Sequence, residues 1–290
     1  MPGNGSLEDL LRAGANNLAA AGIDNPRRDA RLLAAQALGK SATDLVASRT
    51  DRVSRRDEAR FLDLVSRRSN GEPISRICGR RGFWTLDLQI TPSVLDPRSD
   101  SESLIETALQ LVDGHARDVR VLDLGTGSGC LLLALLAEWP RATGIGVDLS
   151  HEALCVARAN AEEHGLDGRA RFFCGNWADA VATDFDLVIS NPPYIESGAI
   201  GTLQREVAQF DPRLALDGGP DGLAAYRALI PDLPRLLRPG GVMVLEIGAD
   251  QAPAVKSLIE RSKTKNVTVR QDLAGRNRCV SAKKSLESMD

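Results

Sequence analysis

The stretch Phe185-Asp186-Leu187-Val188-Ile189-Ser190-Asn191-Pro192-Pro193-Tyr194 decides how this chain folds. Its run Leu187-Val188-Ile189 offers no polar residue to turn toward water. Such a run reads as a strand buried on both faces, the kind found in parallel sheets. Two prolines end it, because neither has an N–H to give to a ladder. Asn191 is therefore predicted at the carboxyl end of a central strand. In an open α/β sheet that is the edge at which ligands bind.

The chemistry of that strand end is specific. Asn191 offers a side-chain carbonyl, and Pro192 a main-chain carbonyl held in one direction by its ring. Two converging acceptors with few competing donors suit a planar NH2 group, an amide or an exocyclic amine, bound by both hydrogens. Tyr194 supplies a ring to stack on its flat face. No strong base is present. None is needed if the acceptors hold the nitrogen and draw on its protons in the transition state. Asn191, Pro192 and Tyr194 are the predicted catalytic residues. The plainer alternative is a loop closed by a Pro-Pro turn.

Upstream, Val121-Leu122-Asp123-Leu124-Gly125-Thr126-Gly127-Ser128-Gly129 reads as strand, glycine turn and helix start. The glycines permit positive φ and let a ligand lie against the backbone. The helix N-terminus then presents free N–H groups. A dinucleotide fingerprint needs Gly or Ala at position 130, which is Cys130. Asp148 stands 25 residues after Asp123, at the end of the next predicted strand. A carboxylate there can take both hydroxyls of an adenosine ribose. Asn176-Trp177 follows the third strand, where a polar group can read an adenine edge and Trp177 can pack on the ring. An adenosine cofactor with a cationic methyl donor fits this set: S-adenosylmethionine, with S-adenosylhomocysteine as product. Asp123 would favour its cationic end. The structural alternatives are that Asp123 caps the turn, that Asp148 caps the helix at His151, a role for which Ser150 is better placed, and that Trp177 is a core aromatic.

The rest of the chain supports one large unit or two modest ones at 290 residues. Apolar residues are 43% and charged residues 26%, which is ordinary globular usage. The net charge of −3 and pI of 5.8 give no basic field for nucleic acid. Cys78, Cys130, Cys155, Cys174 and Cys279 are scattered, and His115, His151 and His164 are dispersed, so no disulfide framework or metal site is predicted. The first residues lack a basic n-region and an apolar h-region, and no apolar run approaches about 18 residues. A reduced, soluble, cytoplasmic protein without membrane contact is expected.

Residues 6–72 read as amphipathic helices. Ser6 caps the first, with Asp9 completing a capping box. Asn25-Pro26 starts a second, stopped by Gly39, and 54–69 form another. Nine arginines fall within 52–81: Arg52, Arg55, Arg56, Arg60, Arg67, Arg68, Arg76, Arg80 and Arg81. They make either a solvated face or a docking surface for an acidic protein or RNA. Residues 82–91 alternate as a strand, in a hairpin linking two domains. A helix is predicted from about Ser101 to Asp113. Strands then alternate with helices: Val119–Leu124, Gly144–Asp148, Ala170–Cys174, Asp186–Ser190 and Gly241–Ile247, with helices at Gly129–Glu138, His151–His164 and Gly222–Leu237. That order marks a doubly wound sheet. Val267–Gln271 and Arg278–Ala282 are predicted to pair as a hairpin at one edge.

Together these residues resemble the protein-(glutamine-N5) methyltransferases that modify class I peptide chain release factors. The resemblance covers most of the chain. It is carried by Gly125–Gly129, Asn191–Tyr194, the linker from Gly71-Glu72-Pro73 through Gly82-Phe83-Trp84, the loop Leu95–Glu102, the segment Leu214–Leu223 with Tyr226-Arg227, and Asp272-Leu273-Ala274-Gly275-Arg276. Asn-Pro-Pro-Tyr alone is shared with DNA and RNA amine methyltransferases. The linker and the Asp217–Gly222 segment narrow the choice.

The resemblance implies an α/β fold: a Rossmann-like class I methyltransferase sheet with an antiparallel edge strand. It implies a docking domain at 1–75, a hairpin linker at 76–100 and a methyltransferase domain at 101–290. The substrate implied is the glutamine of the release factor Gly-Gly-Gln loop, methylated on its amide nitrogen and held by Asn191, Pro192, Pro193 and Tyr194. The implied cofactor contacts are Gly125, Thr126, Gly127, Ser128, Gly129, Asp148, Asn176, Trp177 and Asn191, with Asp123 beside them. A monomer that binds release factors and not nucleic acid is expected. Two positions depart from the family pattern: Asn176, where Asp is frequent, and Ser99, where proline is usual. The rival readings are an adenine-N6 or guanine-N2 methyltransferase, a NAD-dependent oxidoreductase, and a non-catalytic binding module.

Overall fold

A short strand, β1 (Pro2–Ser6), leads into helix α1 (Leu7–Ala20) in the computed structural model. The Ser6 hydroxyl accepts from the Asp9 N–H at 3.2 Å and donates to its carboxylate at 2.8 Å, which satisfies a donor left over at the helix start. The structure describes residues 2–47, 50–179, 181–182, 184–262, 264–272 and 274–286. Helix α2 (Pro26–Leu38) begins on a proline and ends where Gly39 turns left-handed at φ 62°. After α3 (Ala42–Ala47), β2 (Arg52–Ser54) pairs antiparallel with β1, a pairing the residues did not foretell. Ser54 caps α4 (Arg55–Ser69) in the manner of Ser6, and α5 (Ile74–Cys78) follows. Leu7, Leu18, Leu33, Phe61 and Val65 form the core of this helical unit. Arg52, Arg55, Arg56 and Arg60 stand exposed on it, while Arg67 is bound by Glu72 through two hydrogen bonds.

The contacts group residues 1–80 with 204–210 as one unit and 81–203 with 211–290 as another. The second opens with a hairpin, β3 (Arg80–Phe83) and β4 (Leu86–Gln89). The stretch 82–91 is thus not one strand: it folds back at Trp84-Thr85, with Trp84 at φ 54°. Then come α6 (Glu102–Leu111), β5 (Arg120–Leu124), α7 (Cys130–Glu138), β6 (Thr143–Asp148), α8 (His151–Glu163), β7 (Ala170–Cys174) and β8 (Phe185–Ser190). The short helix α9 (Arg205–Phe210) belongs to the first unit, where Glu206 and Asp29 both bind the buried Arg68. The chain closes with α10 (Ala224–Leu229), α11 (Leu233–Leu236), β9 (Leu237–Glu246), α12 (Ala252–Arg261), β10 (Lys265–Gln271) and β11 (Asn277–Lys283).

The seven strands lie in the order β10-β11-β9-β8-β5-β6-β7. β9, β8, β5, β6 and β7 are mutually parallel. The closing hairpin forms the edge as expected, and the strand that runs against the others is β11, one in from the edge strand β10. Every residue of β8 is buried, because helices cover both faces. Val121, Leu187 and Val244 face α6, α7 and α8. Leu122, Val188 and Met243 face α10, α11 and α12. The predicted helix Gly222–Leu237 is broken into α10 and α11 with a 3-10 turn between them. Pro231 and Pro234 cannot donate within it. Helix α12 was not foreseen. Leu273, within the Asp272–Arg276 segment, lies outside the described residues. No helix among the described residues is long and apolar enough to cross a membrane.

Candidate active site

The strand order reverses at β5, whose neighbours β6 and β8 are followed by strands on opposite sides. A crevice opens there beyond the carboxyl ends, as the topology requires. The loop after β5 carries Gly125, Gly127 and Gly129 at φ 74°, 55° and 82°. A side chain at Gly129 would also press on Leu133 and Ala157, at 3.1 and 3.3 Å. The Gly125 and Thr126 N–H groups donate to the Val147 carbonyl at 2.8 and 3.0 Å, which ties the loop to β6.

Two carboxylates frame this loop. Asp123 is fully buried beneath it and accepts from the Thr126 hydroxyl at 2.7 Å. Burial raises its pKa to about 7, against the Thr126 hydroxyl and the Leu132 N–H, which favour the anion. Asp148, at the end of β6, accepts from the Gly127 N–H at 2.8 Å and from the Ser150 N–H at 2.9 Å. Ser150, not Asp148, caps α8, by accepting from the Ala153 N–H at 3.1 Å.

A cavity of about 440 Å³ lies over the loop. Gly125, Thr126, Gly127, Ser128, Asp148, Asn176, Trp177, Asn191 and Pro193 all line it. Val94, Leu95, Pro97, Leu214 and Ala215 line it as well. Asn176 holds Asp179 at 3.3 Å. Trp177, at φ 48°, packs against the apolar core and borders the cavity at once. Asp123, Gly129, Pro192 and Tyr194 are not on its wall.

The end at Asn191 is built differently. Asn191 also borders a small recess with Tyr194, Arg98 and Glu246. Its Nδ2 donates to the Ser101 hydroxyl at 3.3 Å, and that hydroxyl donates to Glu246 Oε2 at 2.5 Å. The Tyr194 hydroxyl donates to Glu246 Oε1 at 3.2 Å. Among the described residues no donor reaches Asn191 Oδ1 or the Pro192 carbonyl. Burial pushes the Glu246 carboxyl up, while Ser101, Arg278 and Arg98 pull it down. Burial holds the Tyr194 phenol at about 12. The Tyr194 carbonyl accepts from Gln251 Nε2 at 2.9 Å, and Gly218 and Gly222 pack so closely that a Cβ on either would meet the Pro193 or Tyr194 carbonyl at 2.8 or 2.4 Å.

Ser101 and Glu246 went unmarked in the sequence as site residues. The signal was there for Glu246: a lone acid ending the apolar run Val242-Met243-Val244-Leu245, the pattern by which Asp148 was found. Ser101 ends a 3-10 turn (Ser99–Ser101) just before α6 and carries no such signature.

A parallel sheet with its penultimate strand reversed, and a crevice built on a glycine loop, an acid on the next strand and Asn-Pro-Pro-Tyr beyond it, define a Rossmann-like methyltransferase. The methyltransferase domain family matches residues 115–288, and the PrmC N-terminal domain family matches residues 9–79. The chain belongs to the release factor glutamine methyltransferase family. It is 49% identical to the release factor glutamine methyltransferase of Rhodospirillum rubrum over 96% of this chain and 85% of that protein. It is 45% identical to that of Caulobacter vibrioides over 98% of both. Its fold is also that of a methyltransferase from Pyrococcus furiosus, with a TM-score of 0.53 at 17% identity over 70% of this chain and 91% of the other.

Proposed function

We propose that this enzyme transfers a methyl group from S-adenosylmethionine to the side-chain amide nitrogen of the glutamine in the Gly-Gly-Gln loop of class I peptide chain release factors. One observation carries the reading. Among the described residues no donor binds the two acceptors suited to an amide NH2, Asn191 Oδ1 and the Pro192 carbonyl, at the strand end beside the cavity.

The residues present fit the cofactor. The cavity lies within the range of about 300–1,000 Å³ usual for ligand sites. In this reading Asp148 takes the ribose hydroxyls, and Asn176 and Trp177 take the adenine. Gly125 to Ser128 bring backbone against the methionine portion. Asp123 acts from beneath the loop as a buried acid that favours a nearby cation. Bound there, S-adenosylmethionine supplies a methyl made electrophilic by its sulfonium charge.

The protein's own part is to hold a poor nucleophile. An amide nitrogen has its lone pair drawn into the carbonyl. Asn191 and Pro192 accept its two hydrogens and aim the nitrogen at the methyl. They would also stabilise the positive charge that grows on the nitrogen as the new bond forms, and one of its two hydrogens then leaves as a proton to water. Such orientation contributes about 7–11 kcal/mol in favourable cases. Tyr194 and Pro193 close the recess around the glutamine side chain.

The same reading makes residues 1–75 the docking part, 76–100 the linker and 101–290 the catalytic part of a cytoplasmic monomer that does not act on nucleic acid. Mass spectrometry of a class I release factor incubated with enzyme and S-adenosylmethionine tests it. One added methyl on the Gly-Gly-Gln glutamine is expected. Label appearing in RNA or DNA instead would move the substrate to an exocyclic amine.

A further inference from the structure

We propose that Glu246 is a positioning residue that sets which way the Asn191 amide faces, acting through Ser101. The inference rests on the reading of Asn191 Oδ1 as an acceptor for the substrate amide.

A hydrogen-bond chain of fixed polarity links Glu246 to Asn191. An ionised carboxylate only accepts. Both Glu246 oxygens are committed in that sense, Oε2 to the Ser101 hydroxyl at 2.5 Å and Oε1 to the Tyr194 hydroxyl at 3.2 Å. Ser101 has a single proton, and the carboxylate takes it. Its oxygen is then left as an acceptor toward Asn191. Only the NH2 end of the Asn191 amide can satisfy that acceptor, at 3.3 Å. The carbonyl end is thereby turned to the other side, free of protein donors among the described residues. Ser101 and Glu246 are 3% and 1% exposed, so water does not compete for either link. In such surroundings a charge-assisted bond to a buried carboxylate is strong and short.

A neutral amide at position 246 would remove the polarity. It could donate to Ser101, Ser101 could then donate to Asn191 Oδ1, and the Asn191 amide could turn over. The acceptor for the substrate would become a donor, although no side chain had changed size. Burial raises the Glu246 carboxyl, and against it the Ser101 hydroxyl, Arg278, Arg98 and the Tyr194 hydroxyl all favour the anion. Asp100 and Asp272 hold Arg278 in place by ion pairs at 3.1 and 3.2 Å.

The test combines two variants with two readouts. Glu246→Gln and Ser101→Ala should each lower kcat on a release factor by about 10- to 100-fold, the range for loss of a hydrogen bond to a charged group. The Kd of S-adenosylmethionine, measured by calorimetry, should stay within about 2-fold of wild type in Glu246→Gln, whose side chain is not on the cavity wall. The double variant should lose no more than Glu246→Gln alone, because both changes break one chain. Independently of turnover, protein labelled with 15N-asparagine should give one Asn191 side-chain NH2 pair with a nuclear Overhauser contact to Ser101. In Glu246→Gln that contact should be lost or the pair should double. Losses that multiply in the double variant, an unchanged kcat in both singles, or an Asn191 amide signal indifferent to Glu246→Gln would overturn the proposal. If wild-type enzyme leaves the release factor glutamine unmethylated, the substrate reading fails, and the amide signal still decides the role of Glu246.

Discussion

The proposed cofactor half of the cavity and its proposed amide half are held together over different chain distances. At the ends of β5 and β6, Asp123 binds Thr126, Asp148 binds the N–H groups of Gly127 and Ser150, and the loop leans on Val147. All of these lie within one strand–helix–strand unit. At the end of β8 the partners are remote: Ser101 lies 90 residues from Asn191, and Glu246 lies 145 residues from Ser101. The first half is a product of local geometry. The second is assembled from four stretches of chain, and small changes far from Asn191 should reach it.

The largest effect should come from the amide half. Asn191→Ala removes the acceptor itself, and turnover should fall by about 100-fold or more, by analogy with loss of one transition-state hydrogen-bond partner. Single-turnover methylation of a release factor measures it. Near-normal turnover would break the two-acceptor account.

Next in size is a change that touches no substrate. Gly222 sits at φ 69°, where a Cβ would meet the Tyr194 carbonyl at 2.4 Å. Gly222→Ala should cost about 2–3 kcal/mol through backbone strain and the displaced carbonyl. The melting temperature should fall by several degrees, and kcat should fall more than the affinity for S-adenosylmethionine. If both parameters moved equally, the two halves of the cavity would be more tightly coupled than their hydrogen bonds indicate.

The cofactor half should respond in binding rather than in chemistry. Asp148→Ala should weaken S-adenosylmethionine by about 10-fold or more, the scale of a lost hydrogen bond to a charged group. Calorimetry measures it. At saturating cofactor the turnover should recover most of its wild-type value. A kcat that stays low would mean that Asp148 also orders the loop for transfer, through its bond to the Gly127 N–H.

The same division explains what could be read in advance. β5, the glycine loop, Asp148 and β8 were legible because each is written in consecutive residues: an apolar run, then glycines or prolines. The cap at Ser6 was legible for the same reason. The helix predicted over Gly222–Leu237 failed on Pro231 and Pro234, whose missing N–H groups outweigh an apolar periodicity. The β1–β2 pairing failed because Pro2-Gly3-Asn4-Gly5 has no strand pattern and gains its partner from a segment about fifty residues away. Ser101 failed because a serine in a turn looks alike whether or not a carboxylate waits on another strand. Trp177 reads from sequence as either a core aromatic or a cavity wall, and it is in contact with both.

The smallest expected effect is the pH dependence that the buried Asp123 gives to stability. Asp123 has its pKa raised by burial to about 7, from 3.8 in the unfolded chain. A raised acid binds its proton more tightly in the folded state, so it contributes stability that is fully present below about pH 4. That contribution is lost as pH rises through about 7. Without cofactor, the melting temperature should therefore carry a downward component between pH 5 and pH 8, on the order of a few degrees. Asp123→Asn should remove that component, since it cannot ionise. A cationic cofactor favours the anion of Asp123, so S-adenosylmethionine should raise the wild-type melting temperature more at pH 8 than at pH 5. Melts of both proteins across that range, with and without S-adenosylmethionine, check the sign. A wild-type profile that Asp123→Asn leaves unaltered would place the buried charge elsewhere and remove Asp123 from the cofactor half.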